Sequence, residues 1–116
     1  MRGRRPAVKP KPDLEAIFEQ QLKGMRITGY VREHVFHSTR KWRLDFAFVV
    51  PQIAVEIEGG TWSLSKTGHT SGSGFNKDCH KYNELALLGW TLLRGDEKMV
   101  RSLELLKYLE RALLIK

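Results

Sequence analysis

The stretch WRLDFAFVVPQIAVEIEGGTW, residues 42–62, decides how the rest of the chain is read. Two runs in it alternate with period 2, Trp42 to Val50 and Ile53 to Glu58. The spacing predicts consecutive strands joined by a tight turn at Pro51-Gln52. In the first run Trp42, Leu44, Phe46 and Phe48 share one face, and Arg43, Asp45, Ala47 and Val49 the other. In the second, Ile53, Val55 and Ile57 oppose Ala54, Glu56 and Glu58. Asp45, Glu56 and Glu58 therefore converge if the strands pair. Like charges so close repel, and removing each from water is costly. Such a cluster persists where a cation binds it or where it stays open to solvent. A bare D…ExE spacing leaves two readings: a divalent-metal site, or the exposed polar face of an antiparallel pair.

On the C-terminal side, Gly59-Gly60 ends the second strand, and TWSLSKTGHTSGSG follows as a Gly/Ser/Thr-rich loop. Its length, about fourteen residues, exceeds that of an ordinary connection, a property of functional or mobile loops. Trp62 within it either packs under the loop or stacks on bases; Lys66 and His69 are candidate phosphate contacts, and His69 a candidate general base. A helix is expected from Phe75 to Leu88, stopped at Gly89, with Phe75, Cys79, Tyr82 and Ala86 as its buried stripe. Asp78, Lys81 and Leu85 fall on a neighbouring side. Lys81 either reaches the carboxylates or pairs at the surface with Asp78 or Glu84. Trp90 to Arg94 reads as a short internal strand. Asp96 caps a last helix from Glu97 to about Leu114, whose leucine-rich face either closes the core or forms a homodimer contact.

On the N-terminal side, Ser38 to Lys41 connects the first run to a strand over Tyr30–His37. Arg32, His34, Arg40, Lys41 and Arg43 bring positive charge beside the acids. Asp13 is a plausible N-cap for a helix to Lys23, with Gly24 as its stop and Leu14, Ile17, Phe18, Leu22 and Met25 as its stripe. Glu15, at the edge of that stripe, either looks into the crevice between helix and sheet or simply favours the helix dipole; Glu19 points further out. The order is α-β-β-β-α-β-α.

The chain has 116 residues and 41% hydrophobic content, enough for one domain, taken as residues 13–116. No apolar run approaches the ~20 residues of a membrane helix, and no secretory signal is present. A single cysteine, Cys79, rules out an intrachain disulfide and suits a reducing cytosol. The formal charge is +7, of which residues 1–12 carry +5 through Arg2, Arg4, Arg5, Lys9 and Lys11. This flexible basic tail suits a phosphate backbone or acts as a solubilising arm.

Taken together, LEAIFEQQL with Glu15, VREH at 31–34, RLDF with Asp45, AVEIEGG with Glu56 and Glu58, DCHKYNELALLGW from Asp78, and LLRG resemble the PD-(D/E)xK nuclease superfamily. Within it the similarity is greatest to small endonuclease domains like those of very-short-patch repair. The resemblance implies an α/β (α+β) fold with a restriction-endonuclease-like αβββαβ core, a central mixed sheet flanked by helices, and a C-terminal helix. It implies Mg²⁺-dependent hydrolysis of DNA phosphodiesters, with Mn²⁺ as a substitute, in a bacterial or phage-infected cytoplasm. Asp45, Glu56 and the Ile57 carbonyl would hold the metal, and Glu15 would orient the attacking water. The lysine position of ExK is Glu58 here, and Lys81 is the candidate for the missing cation. Arg2, Arg4, Arg5, Arg32, Arg43, Trp62, Lys66 and His69 would contact DNA, whether mismatched, nicked, branched or a restriction site. The alternative from another class is a nucleic-acid-binding module whose acids are structural.

Overall fold

The computed structural model describes residues 13–59 and 72–116. Asp13 starts the first helix, its carboxylate accepting from Ala16 N at 3.0 Å, and α1 spans Leu14–Gly24. Leu14, Phe18 and Leu22 form its buried stripe. The left-handed residue after the helix is Arg26 (φ 58), two positions beyond the expected stop at Gly24. Ile27 N bonds to Leu22 O at 2.9 Å and brings the Ile27 side chain back onto the core, which fixes the turn there.

Three strands follow: β1 (Val31–Val35), β2 (Arg43–Phe48) and β3 (Ile53–Ile57). Helix α2 (Gly72–Leu87) leads to β4 (Thr91–Gly95), and α3 (Glu97–Arg101) and α4 (Glu104–Ile115) complete the chain. One mixed sheet runs β1-β2-β3-β4, antiparallel up to β3 and parallel between β3 and β4. The expected αβββαβ core with a C-terminal helical extension is the architecture found. No helix among the described residues is long and apolar enough to cross a membrane.

Both faces of the sheet are covered. Phe46, Phe48, Ile53 and Val55 join Phe18, Leu22, Val100, Leu105, Leu106 and Leu109 in the main core. Ala47, Ala54 and Leu44 meet Leu85 of α2 in a smaller one on the opposite face. Each fully buried large side chain contributes roughly 1.5–3 kcal/mol. An exposed polar face is thus not what surrounds the acids: Ala47 and Ala54 are fully buried and Glu56 is only 5% exposed.

Several expectations shift. β2 stops at Phe48, because Pro51 has no N–H for a ladder and Gln52 N instead closes a turn onto Val49 O at 3.2 Å with Gln52 at φ 56. Leu44 leaves the face of Phe46 and Phe48, since β2 is interrupted between them at Asp45. On α2 the buried side is that of Tyr82 and Leu85; Phe75 and Ala86 are exposed and Cys79 is half-buried. β4 lies at the sheet edge rather than inside, its apolar residues covered by helices from both sides. The single C-terminal helix is two, broken at Leu103 (φ 72), which lets Val100 and Leu105 both reach the core.

Two substitutions test this packing. A Cβ on Gly95 would lie 2.9 Å from Leu105 Cδ2 inside the core. Gly95→Ala is expected to lose about 1–3 kcal/mol in urea denaturation. Leu103→Gly relieves the left-handed strain and is expected to be neutral or to gain up to about 1 kcal/mol.

Candidate active site

Asp45 is the residue at which the sheet forks. β2 and β3 pair at Phe48–Ile53, Ala47–Ala54 and Phe46–Val55, and the next rung, Asp45 opposite Glu56, is missing. The β1–β2 ladder likewise pairs Arg32–Phe46 and His34–Leu44 but skips Asp45. Side chains take over the abandoned donors. Asp45 N donates to Glu56 Oε2 at 2.8 Å, and Ile57 N donates to Asp45 Oδ2 at 2.8 Å. Beyond the fork β2 continues with β1 to Val35–Arg43, and β3 continues with β4 to Ile57–Gly95. The two acids thus stand in the gap between two half-sheets.

Helix α2 supplies the partners of Glu56. Lys81 Nζ lies 2.8 Å from Glu56 Oε1, and Tyr82 OH donates to the same oxygen at 3.1 Å. A buried carboxylate is tolerated only when paired and hydrogen-bonded in this way. Burial, followed by the charges of Glu56 and Glu58, pushes the Tyr82 phenol well above its ordinary value, so it stays a donor. Glu58 turns to the sheet edge instead: Arg94 holds it at 3.1 Å, and the Arg94 guanidinium lies 4.8 Å from the Tyr82 ring centre.

Helix α1 approaches from the other side. Glu15, Glu33 and Asp45 each offer a carboxylate oxygen within 4.8 Å of the others. Glu33 joins them through a left-handed backbone (φ 52) in the middle of β1, a conformation costly for a residue with a Cβ. Arg32 braces the set, donating to Glu15 Oε1 and Glu19 Oε1 at 2.6 Å each while lying 4.4 Å from the Phe46 ring centre. Arg32, expected at DNA, is therefore turned onto the acids. Glu19, expected to point outward, also accepts from Tyr30 OH at 2.8 Å. Arg43 remains exposed, 3.8 Å from Glu33. A cleft of about 180 Å³ opens here, lined by Asp13, Leu14, Glu15, Ile57 and Gly59. Trp62, Lys66, His69, Arg2, Arg4 and Arg5 lie outside the described residues.

Asp45 carries the electrostatic burden of this arrangement. Burial, together with the charges of Glu56, Glu15 and Glu33, raises its carboxyl to about 7 against the opposing Ile57 N–H bond. Of the residues that sequence reasoning missed, Tyr82 and Arg94 flank positions already singled out. Glu33 carried no signal, since neither Gly nor Asn marks the left-handed turn.

The raised Asp45 group has a stability consequence. The folded state binds this proton more tightly than the unfolded one, so its contribution falls as pH rises from 3.8 to about 7. Without divalent cations, Asp45→Asn is expected to gain on the order of 1–3 kcal/mol at pH 8. The gain should disappear below pH 3.8, where both states are protonated, and denaturation at the two pH values reads the difference.

No family model and no curated protein matches the chain. Among solved structures it is similar to the homing endonuclease I-Bth0305I catalytic domain, with a TM-score of 0.60 and 22% identity over 84% of this chain and 89% of that one. The likeness shows a shared fold: a four-stranded mixed sheet between helices, of the kind found in a nuclease catalytic domain.

Proposed function

We propose that this chain is a metal-dependent DNA endonuclease of the PD-(D/E)xK type. The observation that carries the reading is the fork. Asp45 and Glu56 meet where β2 and β3 part, with Lys81 Nζ 2.8 Å from Glu56. Similarity to a homing endonuclease catalytic domain supports the same class of reaction.

The side chains present fit a hard divalent cation. The donors gathered at the gap are carboxylate oxygens, which suit Mg²⁺ or Mn²⁺. Glu33 reaches the cluster through a left-handed backbone, and positive charge there would offset the repulsion among Asp45, Glu15 and Glu33. Asp45 would hold the ion, with Glu56 and the Ile57 carbonyl on the β3 side and Glu15 and Glu33 on the other. When bound, such an ion acidifies a water and offsets charge on the phosphate.

The chain's own groups divide the remaining work. Lys81 brings its ammonium to the gap from α2 and takes the place of the ExK lysine, because Glu58 at that position is tied to Arg94. Its charge stabilises the phosphate oxygens as they gain charge. Glu15, held by Arg32, orients the attacking water. Tyr82 fixes the Glu56 carboxylate against rotation. Hydrolysis leaves a 5′-phosphate and a 3′-hydroxyl.

One observation favours a second reading, a binding module without cleavage. Glu56 already accepts three donors, which makes the Lys81–Glu56 pair self-sufficient as a structural element.

A cleavage panel of supercoiled, nicked, branched and mismatched DNA separates the two. Cutting in Mg²⁺ or Mn²⁺ that stops with EDTA and is abolished in Asp45→Ala and Glu56→Ala is the expected result. Lys81→Ala should lower the rate by roughly 10²–10³-fold, as for loss of one transition-state charge partner. A near-normal rate in Lys81→Ala beside an inactive Asp45→Ala would sink the assignment of Lys81. Salt-sensitive binding with no cleavage of any form selects the module, and preference for RNA selects an RNA-acting enzyme.

A further inference from the structure

We infer that the β1–β2 connection, Ser38–Lys41 with Trp42 and Arg43, is a preshaped element that grips the phosphates of duplex DNA beside the gap. The inference rests on the DNA-acting reading above and adds a second contact surface to it.

The loop is held by one imidazole. His37 Nδ1 accepts from Thr39 N at 3.2 Å and from Arg40 N at 3.1 Å. A ring nitrogen that receives two backbone N–H groups carries a lone pair and no hydrogen, so the ring proton sits on Nε2. Nε2 lies 3.1 Å from Glu84 Oε1 and donates to it. The tautomer is thereby set by α2 on one side and the loop backbone on the other. The His37 ring also meets Trp42 edge to face at 5.2 Å, and Trp42 stacks on Phe36 at 6.1 Å. Over the other part of this aromatic group lies the Arg40 guanidinium, 4.5 Å from the Trp42 ring centre.

The product of this bracing is a loop of set shape, with Arg40 held over Trp42 and Lys41 and Arg43 beside it. Arg40, Lys41 and Arg43 are all exposed. A loop of long basic side chains on a surface would ordinarily lose much rotamer freedom on binding; one shaped beforehand loses less. Its distance from the gap is set by the strand. Trp42 precedes Asp45 by three residues, about 10 Å along β2. At that distance the loop falls on phosphates neighbouring the one at the gap. The same helix serves both places, since Glu84 on the loop and Lys81 at the gap are one turn apart on α2. A flexible acidic peptide would not need a rigid spacing of this kind, whereas a duplex backbone presents one.

The test is binding of a fluorescein-labelled 20-base-pair duplex, followed by anisotropy in EDTA so that no cleavage contributes. The double variant Arg40→Ala/Lys41→Ala should weaken binding at least tenfold and reduce the salt slope by about 2. Lys107→Ala/Arg111→Ala on α4 removes the same charge and should stay within twofold. His37→Ala should weaken binding about fivefold. His37→Asn, whose Oδ1 can take the place of Nδ1 as acceptor, should recover most of it at an unchanged unfolding temperature. Equal losses from the loop and α4 pairs would overturn the inference, as would equal binding by His37→Asn and His37→Ala. Loop-dependent binding confined to an RNA duplex would overturn the choice of DNA. Cleavage in Mg²⁺ is scored separately: loop-dependent binding with no cleavage supports this inference and sinks the nuclease reading, while cleavage with KM unchanged in the loop variants does the reverse.

Discussion

The structure depends on a substitution of side chain for backbone at a single rung. Where Asp45 and Glu56 face each other, two carboxylates accept the N–H groups that a regular ladder would give to carbonyls. Buried backbone donors must find partners, and this exchange lets β2 and β3 part without leaving any unsatisfied at the rung. It also fixes the acids, because each is anchored by the backbone of the opposite strand. The half-sheets on either side remain held together by the main core, in which Phe46 and Val55 form the last shared pair before the fork.

Charges around the fork are balanced by layer. From α2, Lys81 and Tyr82 neutralise and satisfy Glu56, the more deeply buried acid. From the α1 side, Arg32 meets Glu15 and Glu19, but it is about a third exposed, so these pairs add little stability and mainly fix geometry. Asp45 stands between the two with no cationic partner in either set, and burial, with the charges of Glu56, Glu15 and Glu33, raises its carboxyl.

The alternation within residues 42–58 is enough to read two paired strands and the convergence of Asp45 with Glu56. The helix caps at Asp13 and Asp96 are equally legible, since a carboxylate before an apolar periodic run has few other uses. What stayed hidden depends on tertiary context. Leu44 and Phe46 occupy one face in any regular strand, and only the interruption between them separates the two cores. The phase of α2 departs from the predicted stripe because the exposed Phe75 and Ala86 look like core, while Lys81 belongs to the inward side as a polar partner. Left-handed residues at Arg26, Glu33, Gln52 and Leu103 have no sequence mark, because none is glycine or asparagine.

The doubled role of the acids bears on how such a chain would age under drift. Asp45 and Glu56 cap peptide N–H groups, a role an amide oxygen fills as well, so folding asks for an acceptor at these positions and not for a charge. Lys81 answers to the buried charge of Glu56, whereas Glu15 meets only the part-exposed Arg32 and is under no such obligation. Under drift without any demand beyond folding, an amide would replace the acid at position 45, and Glu56 and Lys81 would be kept or lost together. A carboxylate at position 45, where an amide would cap the same N–H at less cost in repulsion, therefore marks a demand other than folding.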